Sequence, residues 1–120
     1  MAWATTAQGI GNQALQIYRA TGATAMAETL APGVPYELME FRVHLSAAAT
    51  QETFTARLDG GTTAAVYDYL IDSQAMNTIV DHGWKGDDVP RVFDADDEID
   101  FAWTNTDTRT WGLEVILRIL

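Results

Sequence analysis

A chain of 120 residues, 48% hydrophobic and 20% charged, with four each of Trp, Tyr and Phe, can bury a core of its own; this excludes a disordered polypeptide, and a single domain is expected. With no cysteine, disulfides, thiolate zinc sites and cysteine nucleophiles are excluded, and assembly in a reducing cell fits. The net charge of −10, with Lys85 as the single lysine, excludes general nucleic-acid binding, because Lys and Arg are what neutralise phosphates.

In chain order, residues 1–36 carry only two charges, Arg19 and Glu28, and are rich in Ala, Thr, Gly and Gln. The start MAWATTAQGI has no basic stretch ahead of an apolar one. Nowhere does an apolar run approach the roughly 20 residues of a membrane span, so a soluble, non-secreted protein is expected. Such a segment is too uncharged for a typical disordered tail and too poor in bulky apolar residues for a core. It is expected to be an extended N-terminal arm over residues 1–30 that packs on something else, with a first strand over residues 13–19.

Beyond residue 30 the pattern is β. In ELMEFRVHLS, Met39, Phe41, Val43 and Leu45 alternate with Glu40, Arg42 and His44, the two-residue period of a strand with one wet face. ETFTARLDGG sends Phe54, Ala56 and Leu58 inward and ends in the turn signal Asp59-Gly60-Gly61. AAVYDYLIDS, MNTIVDH and VPRVF are further strands, the last two shorter. DEIDFAWTN places Ile99, Phe101 and Trp103 inward, and TNTD supplies a turn. TWGLEVILRIL puts Trp111, Leu113, Val115, Leu117 and Ile119 on one face and Ile116 and Leu120 on the other, so that strand is central or covers a partner. The fold expected is all-β, an antiparallel sandwich of about eight strands over residues 31–120, with a jelly-roll topology. Its core should hold Phe41, Val43, Phe54, Leu58, Ile99, Phe101, Trp103, Leu113 and Val115.

Candidate chemistry is sparse. Five of the seven residues in 94–100 are acidic, and on a straight strand Asp94, Asp96, Glu98 and Asp100 would share a face about 7 Å apart. Calcium needs six to eight oxygens from a chain that curls around it, usually at a glycine, so the run is expected to be a solvated strand entrance. A calcium reading would draw Asp87 and Asp88, beside Gly86, from a neighbouring loop.

His44 and His82 have no third nitrogen or thiol for zinc, and His44 reads as a surface residue. Ser46 and Ser73 are the only serines, neither in a glycine-flanked elbow, and there is no phosphate-binding glycine loop. Catalytic, cofactor-binding and metal-ligating residues are all expected to be none, and the protein is not expected to be an enzyme. Stacking on a sugar needs exposed aromatics, and only Trp3 and Trp84 fall in loops. Carbohydrate binding by a tail or fibre module is therefore the alternative function.

The stretches LAPGVPYELMEFRVHLSAAATQETFTARLDGG, AVYDYLIDS and FDADDEIDFAWTNTDTRTWGLEVIL, in that order, resemble small jelly-roll structural proteins of tailed-bacteriophage virions. The resemblance spans about Leu30 to the C-terminus. It implies a capsid cement or decoration protein on the virion surface, assembled in host cytoplasm and bridging major capsid proteins. The partners implied are the major capsid protein and copies of itself as a homotrimer, with no nucleic acid, membrane or cofactor.

Overall fold

Residues 3–10, 13–61, 68–86 and 91–120 are described by the computed structural model, and among them regular structure is all β. The strands are β1 (Ala4–Ile10), β2 (Gln13–Gly22), β3 (Met26–Leu30), β4 (Tyr36–Leu45), β5 (Thr53–Gly60), β6 (Leu70–Ala75), β7 (Asp81–Lys85), β8 (Arg91–Phe93), β9 (Asp97–Trp103) and β10 (Trp111–Ile119). They form two antiparallel sheets, one ordered β1-β2-β10-β4-β7 with β8 also on β4, the other β3-β9-β5-β6.

The nesting of the pairs defines the topology. β2 lies against β10, β3 against β9, β4 against β7 and β8, and β5 against β6. Early strands thus pair with late ones, working inward to the β5–β6 hairpin, and the ribbon rolls into two four-stranded sheets. This is a jelly roll. Opposite β4, the pairs Glu40↔Lys85 and Leu38↔Arg91 make β7 and β8 two halves of one strand. β1 is added outside the roll.

Alternation explains why these segments are strands. All nine expected core residues are buried, joined by Met26, Leu30, Tyr36, Leu38, Leu45, Met76, Trp111 and Leu117 among others. At the centre the Phe101 ring meets Phe41 edge-on at 5.3 Å and lies 6.4 Å from Phe54. Offset and edge-on rings add about 0.5–1.5 kcal/mol per pair beyond their buried area.

Several expectations need correction. The boundary after residue 30 falls inside the sandwich: the first strand expected over residues 13–19 exists as β2, but it sits between β1 and β10, and β3 is an edge of the second sheet. Met26 and Leu30 are core residues, because small residues elsewhere in the segment do not prevent β3 from presenting these side chains inward. Met39 was expected inward. A register shift opposite Ile116 and Leu117 instead turns Leu38 in and leaves Met39 half-buried. The strand expected over AAVYDYLIDS begins at Leu70, with residues 62–67 outside the described set, and MNTIVDH becomes a strand only from Asp81.

Candidate interaction surface

The outward face of the six-stranded sheet is built in rows set by strand register. One row runs Thr21, Gly112, His44, Asp81; the next runs Arg19, Glu114, Arg42, Gly83; the third runs Ile17, Ile116, Glu40, Lys85. A fourth holds Leu15, Arg118, Glu37 and Val92.

Glu114 is the hub. Its Oε2 accepts from Arg19 Nε at 2.7 Å and its Oε1 from Arg42 Nη2 at 2.5 Å, while Arg42 Nε also lies 3.4 Å from Glu40. The hydrogen bond from Arg19, then that from Arg42 and the charges of both, hold the Glu114 carboxyl below its ordinary value, with partial burial pulling the other way. His44 Nδ1 meets Asp81 Oδ1 at 2.5 Å beside this ladder, and Arg118 pairs with Glu37. Between the side chains lies a shallow depression of about 850 Å³, walled by Arg19, Thr21, Arg42, His44 and Asp81. Gly112 floors it: a Cβ added there would meet nothing within 4 Å.

Two properties set this face apart. Its cations Arg19, Arg42, Lys85 and Arg118 are matched by Glu37, Glu40, Asp81 and Glu114. Eleven of the other acids lie among the described residues off these rows, against Arg57 and Arg109, so the negative excess of the described residues lies away from this face. Beside the ion pairs, Leu15, Ile17 and Ile116 are half-buried on the outer side, and Val92 is 58% exposed. A flat, electroneutral face with an apolar stripe can lose water at low Coulomb cost. Ile116 on the face opposite the core was visible in the sequence, but Leu15 and Ile17 were not, because period two does not say which face of a strand is the wet one.

The residues singled out from sequence lie apart from one another. His44 is exposed on the outer face, as expected. His82 turns inward from β7: its Nε2 is 2.6 Å from Asp72 Oδ2 on β6 and its ring lies 5.9 Å from Phe54, so it ties the two sheets at one edge. Ser46 Oγ accepts from the Thr110 backbone N–H, and Ser73 is exposed on β6.

Trp3 and Trp84 are not loop-borne platforms. Trp84 belongs to β7 and stacks on Phe41 at 5.3 Å; Trp3 packs edge-on to Tyr18 and Phe101, and its Nε1 donates to the Thr29 carbonyl. Both rings are partly buried and pack against the core, Trp84 from β7 and Trp3 from just before β1.

The acidic run does not form one straight face either. Residues 94–97 make a turn, with Asp97 N–H donating to the Asp94 carbonyl and Asp94 N–H donating to Asp97 Oδ2. The strand proper starts at Asp97, and only Glu98 and Asp100 of the run project with Asp59 of β5, their carboxylate oxygens within 4.8 Å of one another. Thr29 Oγ1 donates to Asp100 Oδ1. These three half-exposed or exposed carboxylates come from two adjacent extended strands and hold six oxygens only if all are bidentate, without the curled chain that gathers the six to eight ligands calcium takes. Asp87 and Asp88 lie outside the described residues.

No family model matches the chain, and no curated protein matches it. Among solved structures, it is similar to a chain in the X-ray structure of tomato aspermy virus, with a TM-score of 0.40 and 7% identity over 94% of this chain and 81% of that one. At that depth the likeness decides neither family nor role.

Proposed function

We propose that the protein is a virion structural component, a capsid cement or decoration protein that docks on major capsid protein through the outer face of its six-stranded sheet. The observation that carries the docking assignment is the concentration of matched charge and the Leu15, Ile17 and Ile116 stripe on one face, with the negative excess of the described residues lying elsewhere. The role itself rests on the sequence resemblance to small phage jelly-roll proteins. Such a role requires buried area and repetition rather than catalysis; a standard interface covers about 800 Å² per partner. With both candidate tryptophans packed against the core, no observation favours the sugar-binding alternative.

The test is co-sedimentation with undecorated phage heads. The parent protein should pellet with heads at a fixed ratio to major capsid protein. Ile17→Glu combined with Ile116→Glu should weaken binding about tenfold or more, as loss of a central apolar contact does, while leaving the melt of the isolated protein cooperative. Full-strength binding by the double variant would move the docking face elsewhere; no binding by the parent would remove the virion role.

A further inference from the structure

Of the strands that end the two sheets, three carry features that block a further strand. β3 is five residues long, is followed by Pro32 and Pro35, and has the carbonyl of Thr29 occupied by Trp3 Nε1. β6 pairs with β5 through a register shift and carries Asp72. On the far side of the larger sheet the described edge strands are short, β7 with five residues ending in Lys85 and β8 with three. Short, bulged, charged or interrupted edges are how sheet proteins avoid pairing with other chains.

β1 has none of these. Its seven residues, ATTAQGI, pair with β2 in unbroken register from Ala4↔Arg19 to Ile10↔Gln13, with no charge and no proline. Among the described residues no strand lies beyond it. A long, regular, uncharged edge is a template for another strand.

We infer that β1 is an intermolecular pairing edge and that its occupant is β1 of a second copy, antiparallel about a two-fold axis, which fuses the two larger sheets into one. Charge selects that occupant. A partner drawn by opposite charge would be steered to the acidic part of the molecule, whereas β1 and β2 together carry a single charge, Arg19. Two copies bearing −10 each approach with least repulsion where both present this neutral strip. A two-fold axis also makes one sequence complementary to itself. Full overlap of the seven residues sets Ala7 opposite Ala7, Thr6 opposite Gln8 and Ala4 opposite Ile10. Thr6 and Gln8 stand at the register positions of Ile17 and Leu15, so in the fused sheet these uncharged residues of both copies lie between the two apolar stripes and no charge is brought to the seam. The inference does not depend on the virion reading, and its assay contains no capsid.

The test is sedimentation of the purified full chain across a concentration series. The parent should dimerise, and Thr6→Lys with Gln8→Lys should raise the dimer dissociation constant about tenfold or more, because like charges directly opposed in a sheet are destabilising. Thr6→Glu with Gln8→Glu should do the same, and a one-to-one mixture of the lysine and glutamate variants should restore the dimer as a hybrid. Since the chain has no cysteine, Ala7→Cys should cross-link to itself with a short thiol-specific reagent. Ala4→Cys should not, its partner lying about 20 Å away along the strand. A monomeric parent, an oligomer indifferent to the lysine pair, or cross-linking at Ala4 in preference to Ala7 would each overturn the inference. A solely trimeric parent would also do so, since a cyclic trimer has no two-fold axis.

Discussion

Asn105 carries more of the fold than its place in a turn suggests. It is 2% exposed with φ of 53°, in the left-handed region that Asn tolerates better than most residues. Its Nδ2 donates to the carbonyls of Thr24 and Arg109, and its Oδ1 accepts from the Arg109 N–H. Trp111 Nε1 donates to the same Thr24 carbonyl, and a Cβ on Gly22 would come within 2.8 Å of the Trp111 ring, so the β2–β3 and β9–β10 connections lock together here. Asn105→Ala strands buried polar groups and strains the backbone, and should cost roughly 2–4 kcal/mol, visible as a drop in Tm. Asn105→Gly relieves the backbone alone, so the difference between the two variants separates the conformational part from the hydrogen bonds. The TNTD turn was legible from sequence; that its asparagine reaches across to Thr24 was not, because the contact spans 81 residues.

Glu114 gives the residue scale a pH dependence with a definite sign. Its folded carboxyl sits below the ordinary value of 4.5, chiefly through Arg19, so its contribution to stability is present above that value and is lost as pH falls through the folded one. Glu114→Gln should therefore lower stability relative to the parent near neutral pH, by about 0.5–1 kcal/mol for a partly exposed network, read as a lower Tm, and the gap should close in acid. Asp107, whose carboxyl is also lowered by hydrogen bonds from Thr50, is common to both chains and cancels from the difference. A gap that stays constant down to the acid transition would mean the ladder does not stabilise the fold.

At the level of the strands, β2 and β1 have different fates on removal. β2 is interior to its sheet, paired to β10 from Trp111↔Gly22 to Ile119↔Ala14, whereas β1 only extends the edge. Deleting residues 1–12 should lower Tm, since it takes away Trp3 from Tyr18 and Phe101, yet leave a cooperative melt. Deleting residues 1–20 removes most of β2 and unpairs one side of β10 beside Leu113 and Val115, and should abolish the cooperative transition. Circular dichroism melts of the two truncations decide this. The period-two segments with aromatic inward faces, β4, β5, β9 and β10, could be read from sequence because burial and alternation coincide there. The early segment misled because β2 sends Gln16, Tyr18 and Ala20 inward and Leu15 and Ile17 outward. Its core side is the polar and small one, covered by Trp3, and no local pattern announces that.

Over the whole molecule the charge is polarised. The outer face of the larger sheet is balanced, while the other side gathers Asp59, Glu98 and Asp100, with the Asp94 to Asp97 turn close by in sequence. Like charges held this close repel in the folded state more than in an expanded chain, and salt screens them within about 10 Å at 0.1 M. Raising sodium chloride from low to moderate ionic strength should therefore raise Tm, even though it weakens the Arg19, Glu114 and Arg42 ladder, because eleven acids of the described residues against Arg57 and Arg109 outweigh a matched set. Calcium chloride at the same ionic strength separates screening from chelation. Specific binding to the folded state would add stability by mass action, growing with the logarithm of free calcium once the site is saturated. Three carboxylates on two adjacent strands, without the curled chain that calcium requires, should give no such increment, so the two salts should produce the same curve. A calcium-specific rise that disappears in Glu98→Gln with Asp100→Asn would show instead that this end of the sandwich is a metal site. A Tm that falls with sodium chloride would mean the ladder on the opposite face, not the acidic side, dominates the electrostatics of the fold.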